Sequence, residues 1–181
     1  MIILSYNIMI KEHHPLTPKE VQKIAQQPMI FTKYQDLDDY ESLDILFKDA
    51  DCVLILFETH INSGHWCCLI NQKSKIVFFD PYGLEPDTEL LFTDMKFRQE
   101  NDMVKHHLTN LLLGSKVPVE YSNKRLQKMS SEVQTCGYWC GTRMRFKDLS
   151  SEKFINLFKG LPRDEKDNAV IEIGEKVLGK I

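Results

Sequence analysis

Three β-rich runs, Cys52–Glu58, Trp66–Asn71 and Ile76–Asp80, follow one another with only short turn-like segments between them, Asn62-Ser63-Gly64 and Asn71-Gln72-Lys73-Ser74. Gaps of that size hold hairpins and leave no room for crossover helices, so the runs predict three neighbouring antiparallel strands. Helical signals lie on both sides. Thr17-Pro18-Lys19-Glu20 supplies a capping hydroxyl, Pro at the first helical position and Glu at the third, predicting a short helix through Val21 to Ala25 that Pro28 ends. Further helices are predicted over Glu100–Leu113, stopped by Gly114, over Cys136–Phe146, over Ser151–Lys159 and over Asp164–Leu178, with Val117–Leu126 extended. The acidic segment Asp36–Asp44 reads as a solvated loop or helix face. The predicted class is α+β: a central mixed or antiparallel sheet flanked by helices, one of which carries Cys136 in its first turn.

A chain of 181 residues, 43% hydrophobic, is expected to form one domain over residues 1–181 and to bury a core that needs neither metal nor disulfide. The net charge of −3 supplies no global positive field for nucleic acid or an anionic membrane, although Lys124, Arg125, Lys128, Arg143, Arg145 and Lys147 offer a local basic surface. No apolar run approaches the ~20 residues that span a bilayer. The apolar start, Met1–Ile10, lacks a basic region before it and a small-residue cleavage site after it, so it reads as part of the fold and not as a secretion signal. Cysteines 52, 67, 68, 136 and 140 show no repeated spacing, which suits reduced thiols better than a disulfide framework and makes a single reactive thiol worth seeking.

Two segments carry chemistry. His65 starts one predicted strand and Asp80 ends the next, which sets an imidazole beside a carboxylate able to fix its tautomer and leave the other ring nitrogen free to take a proton. Thr135-Cys136-Gly137 sits where a loop enters a helix, and a thiol there has its thiolate stabilised by the helix dipole and unpaired N–H groups. Gly137 would let a substrate backbone approach closely, and the first-turn N–H groups could serve an oxyanion. Cys140, one turn on, reads as a small buried hydrophobe. Cys67, Cys68, Cys136, Cys140, His65 and the His106-His107 pair lack the two matched ligand pairs of a zinc finger, so no metal is expected.

The series Gly64-His65-Trp66, Phe79-Asp80-Pro81-Tyr82-Gly83, Leu126-Gln127 and Thr135-Cys136-Gly137 resembles the adenain-like cysteine proteases. That group joins the adenovirus endopeptidase, the SUMO proteases and the capsid-maturation proteases of virophages, Polinton-type elements and large DNA viruses. The resemblance covers roughly residues 50 to 146, and the order His, Asp, Gln, Cys is its most specific element; papain-like enzymes place Cys before His. It implies His65 as general base, Asp80 as its orienter, Cys136 as nucleophile and Gln127 as oxyanion donor. Gln134 is the alternative donor, at a shorter gap from the Cys than the family usually shows. It also implies Trp66 and Gly137 as substrate-binding residues, Trp66 walling and narrowing the cleft.

The Asn123-x-x-Leu126-Gln127 texture, the loop Lys128–Thr135 and the absence of a regulatory extension look most like the virophage and Polinton branch. The resemblance therefore implies a monomeric endopeptidase cutting beside Gly in capsid precursor proteins. It would work in the host cytoplasm or nucleus, at the virus factory, and in the virion. Ubiquitin-like-protein processing is the alternative within the family, and an inactive peptide-binding module of the same fold the alternative outside enzymes. The DNA and peptide cofactors of the adenoviral member are not carried over, because no second cysteine motif matches, so no cofactor is expected.

Overall fold

A computed structural model describes residues 15–130 and 133–181; Met1–Ile10, read above as part of the fold, lies outside the described residues, as do Ser131 and Glu132 of the Lys128–Thr135 loop. The chain opens with helix α1 (Pro18–Ala25), whose Thr17 and Glu20 form the reciprocal capping box read from the sequence. Its end comes at Gln26, which takes a left-handed conformation (φ 54°) two residues before Pro28. Strand β1 (Ile30–Lys33) follows, then a 3₁₀ turn (Gln35–Asp39) and helix α2 (Leu43–Leu46). The three expected hairpin strands are β2 (Cys52–His60), β3 (Ser63–Asn71) and β4 (Ile76–Phe79). A second 3₁₀ turn (Thr88–Phe92) leads to α3 (Met95–Glu100), α4 (His107–Leu113) and β5 (Val119–Tyr121). Helices α5 (Cys136–Arg145), α6 (Ser151–Asn156) and α7 (Arg163–Leu178) complete it.

The sheet order is β1-β2-β3-β4-β5. β2, β3 and β4 are antiparallel neighbours, as their spacing predicts, while β1 and β5 join the two edges in parallel and make the sheet mixed. Successive strand residues face opposite sides. Leu54, Leu56, Trp66, Cys68, Ile70, Val77 and Phe79 pack under α1, α5, α6 and α7. Val53, Ile55, Phe57, Cys67, Leu69, Ile76 and Phe78 pack against Tyr34, Leu37, Leu46, Met103, Leu108 and Leu111 on the other side. Both faces are covered, which is why Cys52–Phe57 is an unbroken apolar run instead of an alternating one. Burying each such side chain contributes roughly 1.5–3 kcal/mol, so the sheet anchors both helical layers.

Three expectations are corrected. The helix predicted over Glu100–Leu113 is confined to α4, because α3 ends at Glu100, the chain turns at Asp102 (φ 55°) and helix resumes at His107. Within the extended stretch Val117–Leu126 only Val119–Tyr121 pairs, with Ile76–Phe78. Arg143, counted among the surface cations, is fully buried: its guanidinium donates to the Phe146 and Leu149 carbonyls at 2.9 and 3.0 Å and lies 5.1 Å over the Phe154 ring. Lys128 and Lys147 are paired with Asp164 and Asp51, while Lys124 and Arg125 are exposed.

Candidate active site

The site sits at one end of the sheet. Gly64 precedes His65 where β2 kinks between Glu58 and His60, and a Cβ at Gly64 would lie 1.9 Å from the Phe57 carbonyl oxygen, so only glycine lets the strands close there. Cys68 pairs with Phe79 in the β3–β4 ladder. Continued past Phe79, that register brings Asp80 opposite Cys67 and Tyr82 opposite His65. The side chains agree. His65 Nε2 lies 2.9 Å from Asp80 Oδ1, and the Tyr82 ring stacks on the imidazole with centroids 4.4 Å apart and planes 11° from parallel.

The Asp80-Pro81-Tyr82-Gly83 turn does more than end a strand. Asp80 Oδ1 also accepts from the Tyr82 N–H at 2.8 Å, and the Pro81 carbonyl accepts from the N–H groups of both Leu126 and Gln127 at 3.0 Å. Gly83 has φ 71°, and a Cβ there would meet the Lys124 backbone at 2.7 Å, so the crossing of the two segments needs glycine. Gln127, fully buried, donates from Nε2 to the Val133 carbonyl at 3.2 Å and to the Tyr82 hydroxyl at 3.4 Å. One turn therefore positions both the candidate base and the candidate oxyanion donor.

Cys136 begins α5, as the sequence predicts, and its side chain lines the same cleft as the His65 ring. Thr135 does not cap this helix with its side chain; its hydroxyl donates instead to Asp167 Oδ1 at 2.6 Å. The first-turn N–H groups of α5 are thereby left without a side-chain cap, beside the thiol. Asp167, buried on α7, also accepts from Trp139 Nε1 at 2.8 Å and from the Lys128 N–H at 2.9 Å. It ties together the residue before Cys136, the helix after it and the residue after Gln127. Nothing in its local sequence signals this role, since its partners come from distant segments.

His65, Gln127, Cys136, Tyr82, Glu89, Phe92 and Met129 line a cleft of about 580 Å³. Burial opposes a charge on the His65 ring, but the Cys67 sulfur, the hydrogen bond with Asp80 and the Cys136 thiol outweigh it and hold the imidazole well above its ordinary pKa. Burial pushes the Cys67 thiol well up. Glu89, which the sequence reading did not single out, lies on the second 3₁₀ turn with Oε1 3.8 Å from His65 Nε2. Its carboxyl is pushed up to about 7, first by burial and then by Asp80, against the opposing pull of His65.

Trp66 and Gly137 are not among the residues that line this cleft. Adjacent residues on a strand face opposite sides, so Trp66 turns away from His65 into the layer beneath α5, with its ring 5.7 Å from that of Phe31. It lines a neighbouring groove of about 290 Å³ that shares Pro15, Ser63 and Gly64 with the main cleft. Gly137 packs against Leu16 and Val21, where a Cβ would come within 3.1 Å, and serves the contact between α1 and α5. Gln134 lines the cleft but is exposed, unlike Gln127.

All five cysteines are free. Cys140 donates to the Trp66 carbonyl from within the core, matching its structural reading. His107 is equally structural, held between Asp38 at 3.1 Å and the Asp102 carbonyl at 2.7 Å. Among the described residues, one set of side chains close enough to share a metal is His65, Cys67 and Asp80, their ligand atoms within 4.8 Å of one another. The 2.9 Å His65–Asp80 contact is a direct hydrogen bond, closer than the roughly 3.3–3.8 Å between two ligands on a tetrahedral zinc, so the two are arranged as a hydrogen-bonded pair. No helix among the described residues is long and apolar enough to cross a membrane.

No family model matches the chain. It is 33% identical over 122 residues to the uncharacterized protein V9 of Sputnik virophage, an alignment that spans 67% of this chain and 70% of that protein. By that identity and extent, the chain belongs to the family of the Sputnik virophage protein V9.

Proposed function

We propose that the protein is a cysteine endopeptidase of a virophage-type virus that cuts capsid precursor proteins beside Gly during virion maturation. The observation that carries this reading is one arrangement: Cys136 and His65 line the same cleft, and His65 Nε2 lies 2.9 Å from Asp80 Oδ1. The elements of an acyl-transfer site are then in place: a nucleophile, a base that takes its proton, and a carboxylate that orients the base. Cys136 attacks the peptide carbonyl, His65 protonates the leaving amine, and water activated by His65 hydrolyses the acyl-enzyme. The oxyanion is met by the α5 first-turn N–H groups and the Gln127 amide, which swings from its Val133 and Tyr82 partners. The virophage relative and the resemblance of the four motifs support the viral setting. Cleavage beside Gly rests on the resemblance alone.

The deciding experiment incubates the protein with capsid proteins encoded beside it and, in parallel, with ubiquitin-like precursors, and reads new termini by mass spectrometry. Cuts beside Gly in capsid precursors are expected, with Gly→Val at the cut site blocking them. Release of ubiquitin-like proteins alone would reassign it as an isopeptidase. No cleavage, together with iodoacetamide labelling of Cys136 no faster than of the other cysteines, would make it a binding module.

Gln127→Ala is expected to lower kcat by on the order of 10²-fold or more, with Gln134→Ala near neutral, since removing a positioned oxyanion donor costs that much. Steady-state kinetics of the two variants check it. The reverse pattern would move the role to Gln134.

A further inference from the structure

Three buried oxygens at the site have no hydrogen-bond partner: Asp80 Oδ2, Glu89 Oε1 and the amide oxygen of Gln127. The Asp80 and Glu89 carboxyl groups converge on the same ring nitrogen, with Asp80 Oδ1 2.9 Å and Glu89 Oε1 3.8 Å from His65 Nε2. Two carboxylates cannot satisfy one another, because both only accept, whereas a single proton between them satisfies both. We propose that Glu89 is a positioning residue for the base: it shares one proton with Asp80 on the edge that His65 does not use, and on losing that proton it places a second negative charge beside the imidazolium.

The geometry behind this is specific to the fold. Glu89 is held by the second 3₁₀ turn, which begins at Asp87, and Asp87 is fixed by the Tyr34 hydroxyl at 2.6 Å and the Thr109 N–H at 2.9 Å. Facing Glu89 are His65 and Cys67 of β3 and Asp80 and Tyr82 of the turn after β4, with Cys136 across the cleft. From β2, Glu58 is committed to Lys33, Gln35 and the Asn62 N–H, and exposed His60 bonds Thr59. His65 is thus the cationic partner within reach of Glu89. Glu89 lines the cleft, so its proton has a path to solvent in the free enzyme and loses that path when substrate fills the cleft.

The sign follows. Below about pH 7 Glu89 is neutral and bridges to Asp80; above it the added negative charge, 3.8 Å from Nε2, makes His65 hold its proton to higher pH. This inference rests on His65 being the base of the proposed protease. The test is an NMR titration of the His65 ring nitrogens from pH 5 to 10 in the wild-type chain and in E89Q. The wild-type curve is expected to show two steps, because two coupled groups titrate. In E89Q the curve is expected to show one step, with the midpoint lower by about one unit, a tenfold weaker hold on the proton. The alkaline limb of kcat/KM should move with it. A single-step wild-type curve overturns the proposal without any variant, as do superimposable curves. Alkylation of Cys136 separates the two readings: fast alkylation with superimposable curves rejects the Glu89 role alone, and alkylation no faster than at the other cysteines rejects the protease.

Discussion

Cys136→Ala is expected to reduce peptide cleavage to background while leaving the fold unchanged. The thiol is the atom that forms and breaks the bond to substrate, and loss of the nucleophile from such an assembly costs on the order of 10⁶-fold in kcat. The fold should survive because the substitution removes one sulfur from the lining of the cleft, at the first position of α5, where Ala is a good helix former. Circular dichroism and a thermal melt would show this. His65→Ala should be nearly as damaging, and the double variant hardly worse than either single one, since residues that act as a unit lose their effect together. A Cys136→Ala protein that still cut at the wild-type rate would end the assignment.

Asp167→Ala is expected to be the most destabilising single polar change, by about 3–5 kcal/mol, because it strands the Thr135 hydroxyl, the Trp139 indole N–H and the Lys128 N–H in a dry site. For a chain of this size that corresponds to a fall in Tm of roughly 10 °C, read by calorimetry. Activity should fall further than stability explains, because the lost contacts flank both Cys136 and Gln127. Asp167→Asn is expected to be intermediate: its amide oxygen still accepts, but its NH₂ group opposes donors. A melting point of Asp167→Ala within about 2 °C of wild type would show that the tie carries little energy.

Much of this was legible in the sequence because it is local. Strand spacing determined the β2–β3–β4 hairpins, the capping box determined where α1 begins, and the offset between His65 and Asp80 placed an imidazole beside a carboxylate. Even the departure of Trp66 was signalled, since a residue next to His65 on a strand faces the other way. The short parallel strand β1 left no such trace: four residues after Pro28-Met29 acquire their meaning only from the edge of β2 they meet.

The sequence by itself determined the fold class, the hairpin core and the His65, Asp80 and Cys136 set, because period, turn chemistry and chain order act over short distances or in sequence order. Tertiary structure alone decided what surrounds them. Glu89 becomes an unusual acid only when a 3₁₀ turn buries it against Asp80, and Asp167 becomes a tie only when α7 brings it beneath Thr135 and Lys128. Arg143 turns from a surface cation into a core residue only when α5 is covered by α6. Burial and the fields of distant charges depend on which segments meet, and that is settled by packing across the whole chain rather than by any local pattern.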